Sequence, residues 1–376
     1  MTEPDLPAAS EGGSPKRPRT EEEVLDAIER RRRRPVRKLL DERITLSHGA
    51  GGKASHTLVE ALFLAELRNP LLEALDDSAV FSATENGPRL AFSTDSSVVH
   101  PLFFPGGDIG ELAVNGTVND LAMAGARPLY LSTGFIIEEG FEISQLQRVV
   151  ASMAAAAREA GVSVVTGDTK VVERGKADGL YINTAGVGVL ERDIELSTAQ
   201  VRAGDRVLVS GSIGDHGMAV MIARGDLELE VDLHSDTAPL AGLTATLLDA
   251  TDGVRCLRDP TRGGVATVLA EMALSAELSI VIDEAALPIA PAVNGASEIL
   301  GLDPLYVANE GKLVAIVAPE ATDAALAALR SHPLGAEAAV IAEVRPDPPG
   351  LVILETAFGG SRVVDMLAGD PLPRIC

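Results

Sequence analysis

The 376-residue chain is predicted to be an α/β (α+β) protein of two similar lobes followed by a tail, and three observations carry that prediction. From Ile44 onward, β-branched apolar runs alternate with helical patterns, as in layered α/β domains. A break at Ser197–Gly204 interrupts the alternation, which then restarts. The closing stretch Phe358–Cys376 holds Gly359, Gly360, Gly369, Pro371 and Pro373, a composition ill suited to joining a core. The expected division is an extension over 1–42, a first lobe over 43–196, a second over 197–357 and a mobile tail over 358–376.

Within the extension, residues 1–20 are rich in Pro, Gly, Ser and charge and read as disordered. Residues 21–42 read as a helix from Glu21 that ends in Arg30, Arg31, Arg32, Arg33 and Arg34 before Pro35, a solvated basic run. In the first lobe, strands are expected at Leu90–Ser93, Leu129–Ile137, Val162–Thr166 and Leu180–Leu190. Helices are expected at Ser55–Leu67, Asp108–Gly125 and Ser144–Ala160, the last with Ser144 as N-cap and Gly161 as the residue past its end. The second lobe opens with a strand at Arg206–Ser210 and helices near Gly214–Arg224 and Gly263–Glu277. Strands follow at Ser279–Ile282 and Lys312–Val317, then a helix at Ala321–Ser331 and strands near Ala339–Val344 and Leu351–Glu355.

Composition narrows the function classes. Apolar residues make up 46 % of the chain, with no Trp, 3 Tyr and 8 Phe, which suits buried cores and not base-stacking platforms. Residues 1–42 hold ten basic and ten acidic side chains, so the body carries the whole net charge of −23. So acidic a body repels phosphate backbones, and no nucleic-acid partner is expected. No apolar run approaches the roughly 20 residues that cross a bilayer, and the N-terminus lacks an apolar signal core, so no membrane role and a cytoplasmic address are expected. Two cysteines, Cys256 and Cys376, make no disulfide framework and fit a reducing compartment.

The chemistry-bearing residues recur at strand ends and in Gly-rich turns. They are the pair Asp76 and Asp77, Asp95 after Ser-Thr, the pair Asn119 and Asp120, Asp168 in Gly-Asp-Thr-Lys, and Asp259 in Asp-Pro-Thr-Arg-Gly-Gly. Single aspartates in such places usually cap turns, whereas five together suit a Mg²⁺–nucleotide site, because Mg²⁺ takes a few carboxylates plus water and phosphate oxygens. The turn His48–Lys53, with Gly51 and Gly52, precedes a helical pattern and suits a phosphate cradle without being a Walker sequence. Arg262 stands beside a second such turn. Lys170 and Glu310, the latter in Ala-Asn-Glu-Gly-Lys, are either functional or members of surface ion pairs. Cys256 reads as a small core residue. The last residue, Cys376, follows Pro-Leu-Pro-Arg-Ile, an extended lead suited to carrying a thiol between sites; a frayed end with an incidental Cys is the plain alternative.

Taken in order, the strings become recognisable: Ser-His-Gly-Ala-Gly-Gly (47–52), Phe-Ser-Thr-Asp-Ser (92–96), Pro-Leu-Phe-Phe-Pro-Gly-Gly-Asp-Ile-Gly (101–110), Gly-Thr-Val-Asn-Asp-Leu-Ala (116–122) and Val-Thr-Gly-Asp-Thr-Lys-Val-Val (165–172). Asn-Thr-Ala-Gly (183–186), Gly-Asp-His-Gly (214–217), Asp-Pro-Thr-Arg-Gly-Gly (259–264), Ala-Asn-Glu-Gly-Lys (308–312) and the ending Pro-Arg-Ile-Cys (373–376) follow. From about Ile44 to the end the chain resembles the HypE family of hydrogenase-maturation carbamoyl dehydratases, relatives of the AIR and selenophosphate synthetases. Selenophosphate synthetases carry a reactive Cys or selenocysteine near the first Gly-rich turn, and this chain has none there.

The resemblance implies a two-lobed AIR-synthetase-like fold whose N-terminal lobes pair across a homodimer, with a flexible C-terminal tail that reaches the nucleotide. It implies that the carbamoyltransferase HypF loads a carbamoyl group onto Cys376. ATP with Mg²⁺ then drives its dehydration to a thiocyanate, and the cyano group passes to iron on the HypC–HypD complex for a [NiFe] hydrogenase centre. Matching the family's motif positions, Cys376, Lys170 and Glu310 are taken as catalytic, with base and oxygen stabiliser left open between the last two. Gly51, Gly52, Lys53, Asn119, Asp120, Thr169 and Arg262 are taken as nucleotide-binding, and Asp77, Asp95, Asp168 and Asp259 as metal ligands. Two other readings compete: a metallocentre-assembly scaffold that uses Cys376 as a metal ligand, and a small-metabolite kinase or ligase of the same fold.

Overall fold

The computed structural model describes residues 41–85, 87–225, 232–369 and 372–376. The expectations for residues 1–40, including the helix from Glu21 and the run Arg30–Arg34, lie outside them, as does Pro371. Two sheets organise the rest. The first has five strands in the order β1-β2-β7-β5-β6 and the second seven, β14-β13-β10-β12-β8-β11-β9.

The first sheet contains β1 (Ala79–Ser82), β2 (Arg89–Ser97), β5 (Arg127–Glu138), β6 (Ser163–Val172) and β7 (Leu180–Leu190). A two-stranded ribbon, β3 (Phe103–Phe104) with β4 (Gly107–Asp108), leads into the helix Ile109–Met123. Helix α1 (Lys53–Leu58), before β1, runs on through a π-helical turn to Leu67. The helix Ile109–Met123, α2, starts at Asp108, whose carboxylate accepts from the N–H groups of Gly110 and Glu111. It is buried on nearly every face, as expected of a helix apolar all round and packed between layers. Helix α3 is Ile143–Glu159, with Glu142 and not Ser144 at the cap position; Gly161 follows its end at φ +69° as expected.

The second sheet contains β8 (Arg206–Val209), β9 (Val254–Arg258), β10 (Ser279–Asp283), β11 (Val314–Val317), β12 (Ala339–Arg345), β13 (Val352–Glu355) and β14 (Ser361–Val364). Its helices are α4 (Asp215–Ala223), α5 (Ala241–Ala250), α6 (Gly264–Ala276), α7 (Pro291–Leu300) and α8 (Thr322–Ser331). The strands β8, β10 and β11 are buried along their length, which explains their unbroken Val, Leu and Ile runs. Sequence reasoning missed α5, α7, β1, β3, β4, β9 and β14.

The strand β14 corrects the picture of a tail that stays out of the core. Residues 361–364 pair antiparallel with β13, and Val364 and Met366 enter the second lobe's core. Leu372 and Ile375 lie in the apolar cluster that α2, α3, α4 and α7 share between the lobes. Burying a side chain of that size favours the seated state by about 1.5–3 kcal/mol. Among the described residues no helix is long and apolar enough to cross a membrane.

Candidate functional site

The ends of β2, α2 and β9 meet at a group of carboxylates. Asp95 comes from β2, Asp120 from α2, Asp77 from the segment before β1 and Asp259 from the residue after β9. Ser93 ties two of them together: its hydroxyl lies 3.0 Å from the Asp77 carbonyl and 2.5 Å from Asp120 Oδ2. Arg258 holds Asp77 at 2.8 Å and Asp76 at 2.5 Å, yet Asp77 Oδ2 is buried with no partner. Asp95 Oδ2 lies so near Gly116 that a Cβ there would approach it to 2.6 Å, so α2 needs glycine to admit the carboxylate.

Burial and mutual repulsion push the carboxyl groups of Asp120 and Asp259 well above the usual range, and burial raises that of Asp77 against the pull of Arg258. Protons thus bind these groups more tightly in the folded chain than in the unfolded one. The stability they contribute is present below about pH 4 and is lost as pH rises through the raised values. A cation would substitute for those protons. Mg²⁺ is therefore expected to raise the melting temperature more at about pH 8 than at about pH 6, read by differential scanning fluorimetry. Equal shifts at both pH values would dissociate the cluster from Mg²⁺.

The tail brings the thiol to this group. Cys376 is half-buried as a residue, yet burial is the largest influence on its thiol and pushes its pKa up, with Arg262 opposing and Glu310 adding to the rise. Glu310, 4 % exposed, lies beside that thiol. Burial, then Asp95, Asp259 and Asp236, push its carboxyl well above the usual range. Its Oε1 has no partner. Arg262 lies near Cys376, whose charge is the main influence that raises the Arg262 pKa. Deprotonating this thiol is hard in the seated state and is eased by the cation beside it.

Other expected site residues take different places. Asn119 is buried, with its amide bonded to the carbonyls of Ala238 and Glu310 at 3.1 Å and its oxygen to Leu240 N at 2.8 Å. That use of its polar atoms makes it a cross-link that places Glu310, which corrects its expected nucleotide contact. The Gly-rich turn packs against the chain's own end: Lys53 N meets Leu367 O at 3.0 Å, Lys53 Nζ pairs with Asp365 at 2.5 Å, and a Cβ on Gly52 would strike the Leu367 carbonyl. Gly51, at φ +75°, lies against Arg262. Asp168, Thr169 and Lys170 stand apart from the cluster, on β6. Lys170 Nζ pairs with Asp168 at 2.8 Å, both side chains are two-thirds exposed, and this contact depresses the Asp168 carboxyl. Among the described residues no three His, Cys, Asp or Glu side chains converge as a preformed metal site. Cys256 is a core residue, its thiol pushed up to about 12 by burial.

Sequence reasoning missed Asp236 and Arg224. Asp236 Oδ1 accepts from Glu310 N and its Oδ2 pairs with Lys312, both at 3.0 Å. Burial pushes its carboxyl up, but Lys312, His216 and the Glu310 N–H together outweigh that, and it sits below the usual range. Arg224 grips the carbonyls of Pro373 and Arg374.

The two α/β lobes place the chain in the AIR synthase related class. Family models for the N-terminal and C-terminal domains of AIR synthase related proteins match residues 75–190 and 202–354. The carbamoyl dehydratase HypE of Cupriavidus necator is 55 % identical over 334 residues, 89 % of this chain and 95 % of that protein. A crystal structure of the hydrogenase maturation protein HypE in complex with ATP is 49 % identical with a TM-score of 0.74, covering 89 % of this chain and all of that one. The HypE chain of a HypE–HypF complex is 47 % identical with a TM-score of 0.78, over 82 % of this chain and 99 % of that one. The chain belongs to the carbamoyl dehydratase HypE family.

Proposed function

We propose that this protein dehydrates a carbamoyl group carried on Cys376 to a thiocyanate, using ATP, to supply cyanide for the iron of a [NiFe] hydrogenase. The observation that carries the reading is the meeting of the Cys376 thiol, Glu310 and Arg262 beside four carboxylates. The carbamoyl oxygen attacks the γ-phosphorus of ATP, ADP leaves, and the nitrogen gives up one proton. Loss of phosphate with the second nitrogen proton then forms the nitrile. Phosphorylation turns a very poor leaving oxygen into a good one.

Glu310 takes the nitrogen protons, since its unpaired Oε1 and its contact with sulfur put a proton acceptor beside the carbamoyl group. Lys170 is assigned to charge on oxygen and Arg262 to the phosphates. Gly51, Gly52 and Lys53 shape the wall that the tail crosses. Asp77, Asp95, Asp120 and Asp259 fit a hard divalent cation, given the buried unpaired Asp77 Oδ2. When bound there, Mg²⁺ would neutralise phosphate charge.

Two copies of the chain pair through β6. What supports this is an edge strand nearly all exposed, with Val164, Val165 and Val171 open to solvent, the sort of edge that proteins otherwise cover. Pairing brings Asp168, Thr169 and Lys170 into a shared site. Val165→Asp is expected to turn the dimer into a monomer by light scattering; a dimer that persists would remove β6 from the interface. HypF is the carbamoyl donor and the HypC–HypD complex the cyanide acceptor, in the cytoplasm. The experiment is intact mass on protein loaded by HypF: ATP should remove about 18 Da, the loss of one water that defines dehydration and leaves the nitrile on sulfur. Bound metal without that loss would favour the scaffold.

A further inference from the structure

The last three residues lie against Val98–His100, held by two backbone hydrogen bonds with a turn at Arg374 (φ +54°). Val98 N donates to Cys376 O at 3.0 Å, and His100 N to Arg374 O at 3.1 Å. Arg374 Nε reaches back to Val98 O at 3.2 Å, and its guanidinium pairs with Asp178. Two side chains of the second lobe hold the same segment by its carbonyls. Arg224 donates from Nη2 to Arg374 O at 2.9 Å and to Pro373 O, and from Nε to His100 O at 2.9 Å, so it clamps tail and strand together. His216, fully buried on α4, places Nε2 2.7 Å from Ile375 O, the peptide just before the thiol. A carbonyl only accepts, so Nε2 carries the proton and Nδ1 accepts from Ser235 Oγ at 2.8 Å.

The same loop reaches the acid. Ser235 is followed by Asp236, which takes Glu310 N at 3.0 Å and Lys312 Nζ at 3.0 Å. One short segment therefore positions both the peptide that carries the sulfur and the carboxyl that faces it. Nearly all these bonds go to tail backbone, so the seat reads the backbone of the chain end and not its side chains. The exceptions are Arg374 and the apolar contact of Ile375.

We propose that His216 and Arg224 are positioning residues that clamp the peptides on either side of Arg374 and Ile375 and so aim the Cys376 sulfur at Glu310. The role in turnover rests on the thiol being the carrier; the seat itself does not. Losing such bonds should release the tail by about tenfold to a hundredfold.

The test is alkylation of the full-length protein by iodoacetamide, followed by intact mass. Wild-type Cys376 should label slowly and Cys256, being buried, not at all. Arg224→Ala and His216→Ala should speed labelling of Cys376 by about tenfold or more, while His216→Gln, whose amide N–H still donates to Ile375 O, restores slow labelling. In Arg224→Ala and His216→Ala, ATP-driven loss of water from preloaded protein should slow in step. A His216→Ala protein that unfolds would gain a second adduct at Cys256, and Arg224→Ala then decides. Unchanged labelling in Arg224→Ala, or faster labelling with undiminished dehydration, overturns the proposal. If the wild type labels slowly yet never loses water, the functional reading falls and the seat stands.

Discussion

Cys376→Ala is expected to abolish both the carbamoyl adduct and the ATP-dependent loss of water, with nucleotide affinity retained. Removing the nucleophile of an enzyme lowers turnover on the order of 10⁶-fold, and the protein holds no substitute. Its other thiol, Cys256, is 2 % exposed and pushed up to about 12, so it neither meets a donor nor ionises. The fold should tolerate the change: Ile375 and Leu372 supply the buried apolar surface of the chain end, and the backbone bonds at 374–376 do not involve sulfur. Intact mass after incubation with HypF, its carbamoyl source and ATP is the measurement. An adduct on the variant would place the carrier elsewhere. Tighter ATP binding by the variant would still agree with the assignment, since Arg262 is freed of its thiol partner.

Most of the fold was legible because strands that are buried on both faces must be apolar throughout. The runs at 206–209, 279–283 and 314–317 therefore stand out from a polar background. The carboxylates were legible for a related reason, as each closes such a run or opens the turn after it. What escaped is what depends on distance in sequence. His216 meets a carbonyl 159 residues away and Arg224 one 150 away, and no local pattern announces a side chain whose partner is another segment's backbone. Asn119 read as part of a nucleotide motif, while the structure uses it to hold the Glu310 loop. The Gly-rich turn read as a phosphate cradle because close approach demands glycine; the approaching group is Leu367 O. The tail misled for its composition: glycine and proline mark it as loop, but Val363 and Val364 suffice for an edge strand and Leu372 and Ile375 for an anchor. Lys170 and Asp168 share an exposed edge in a single chain, and the proposed pairing of β6 with a second copy would give their motif a site.

Glu310→Gln carries the second large effect, because it preserves shape and hydrogen-bond donors while removing the proton acceptor. Burial and then Asp95, Asp259 and Asp236 push the Glu310 carboxyl toward its protonated form, so a neutral amide of equal size leaves packing and tail docking intact. Loading of Cys376 should proceed, since Glu310 is assigned only to the dehydration that follows. Dehydration should fall by about 10²–10⁴-fold, the usual contribution of a positioned general base. The pH dependence separates this from a structural role. A base works only when ionised, and the ionised form of Glu310 appears as pH rises through its elevated pKa. The wild-type rate from preloaded protein should therefore climb with pH above the usual carboxylate range, and cations that offset the repulsion from Asp95 and Asp259 should move that climb to lower pH. The variant should lose the climb as well as the rate. Full activity in Glu310→Gln, or an equally steep climb, would assign proton removal to another group, and Lys170 at a paired β6 would take its place.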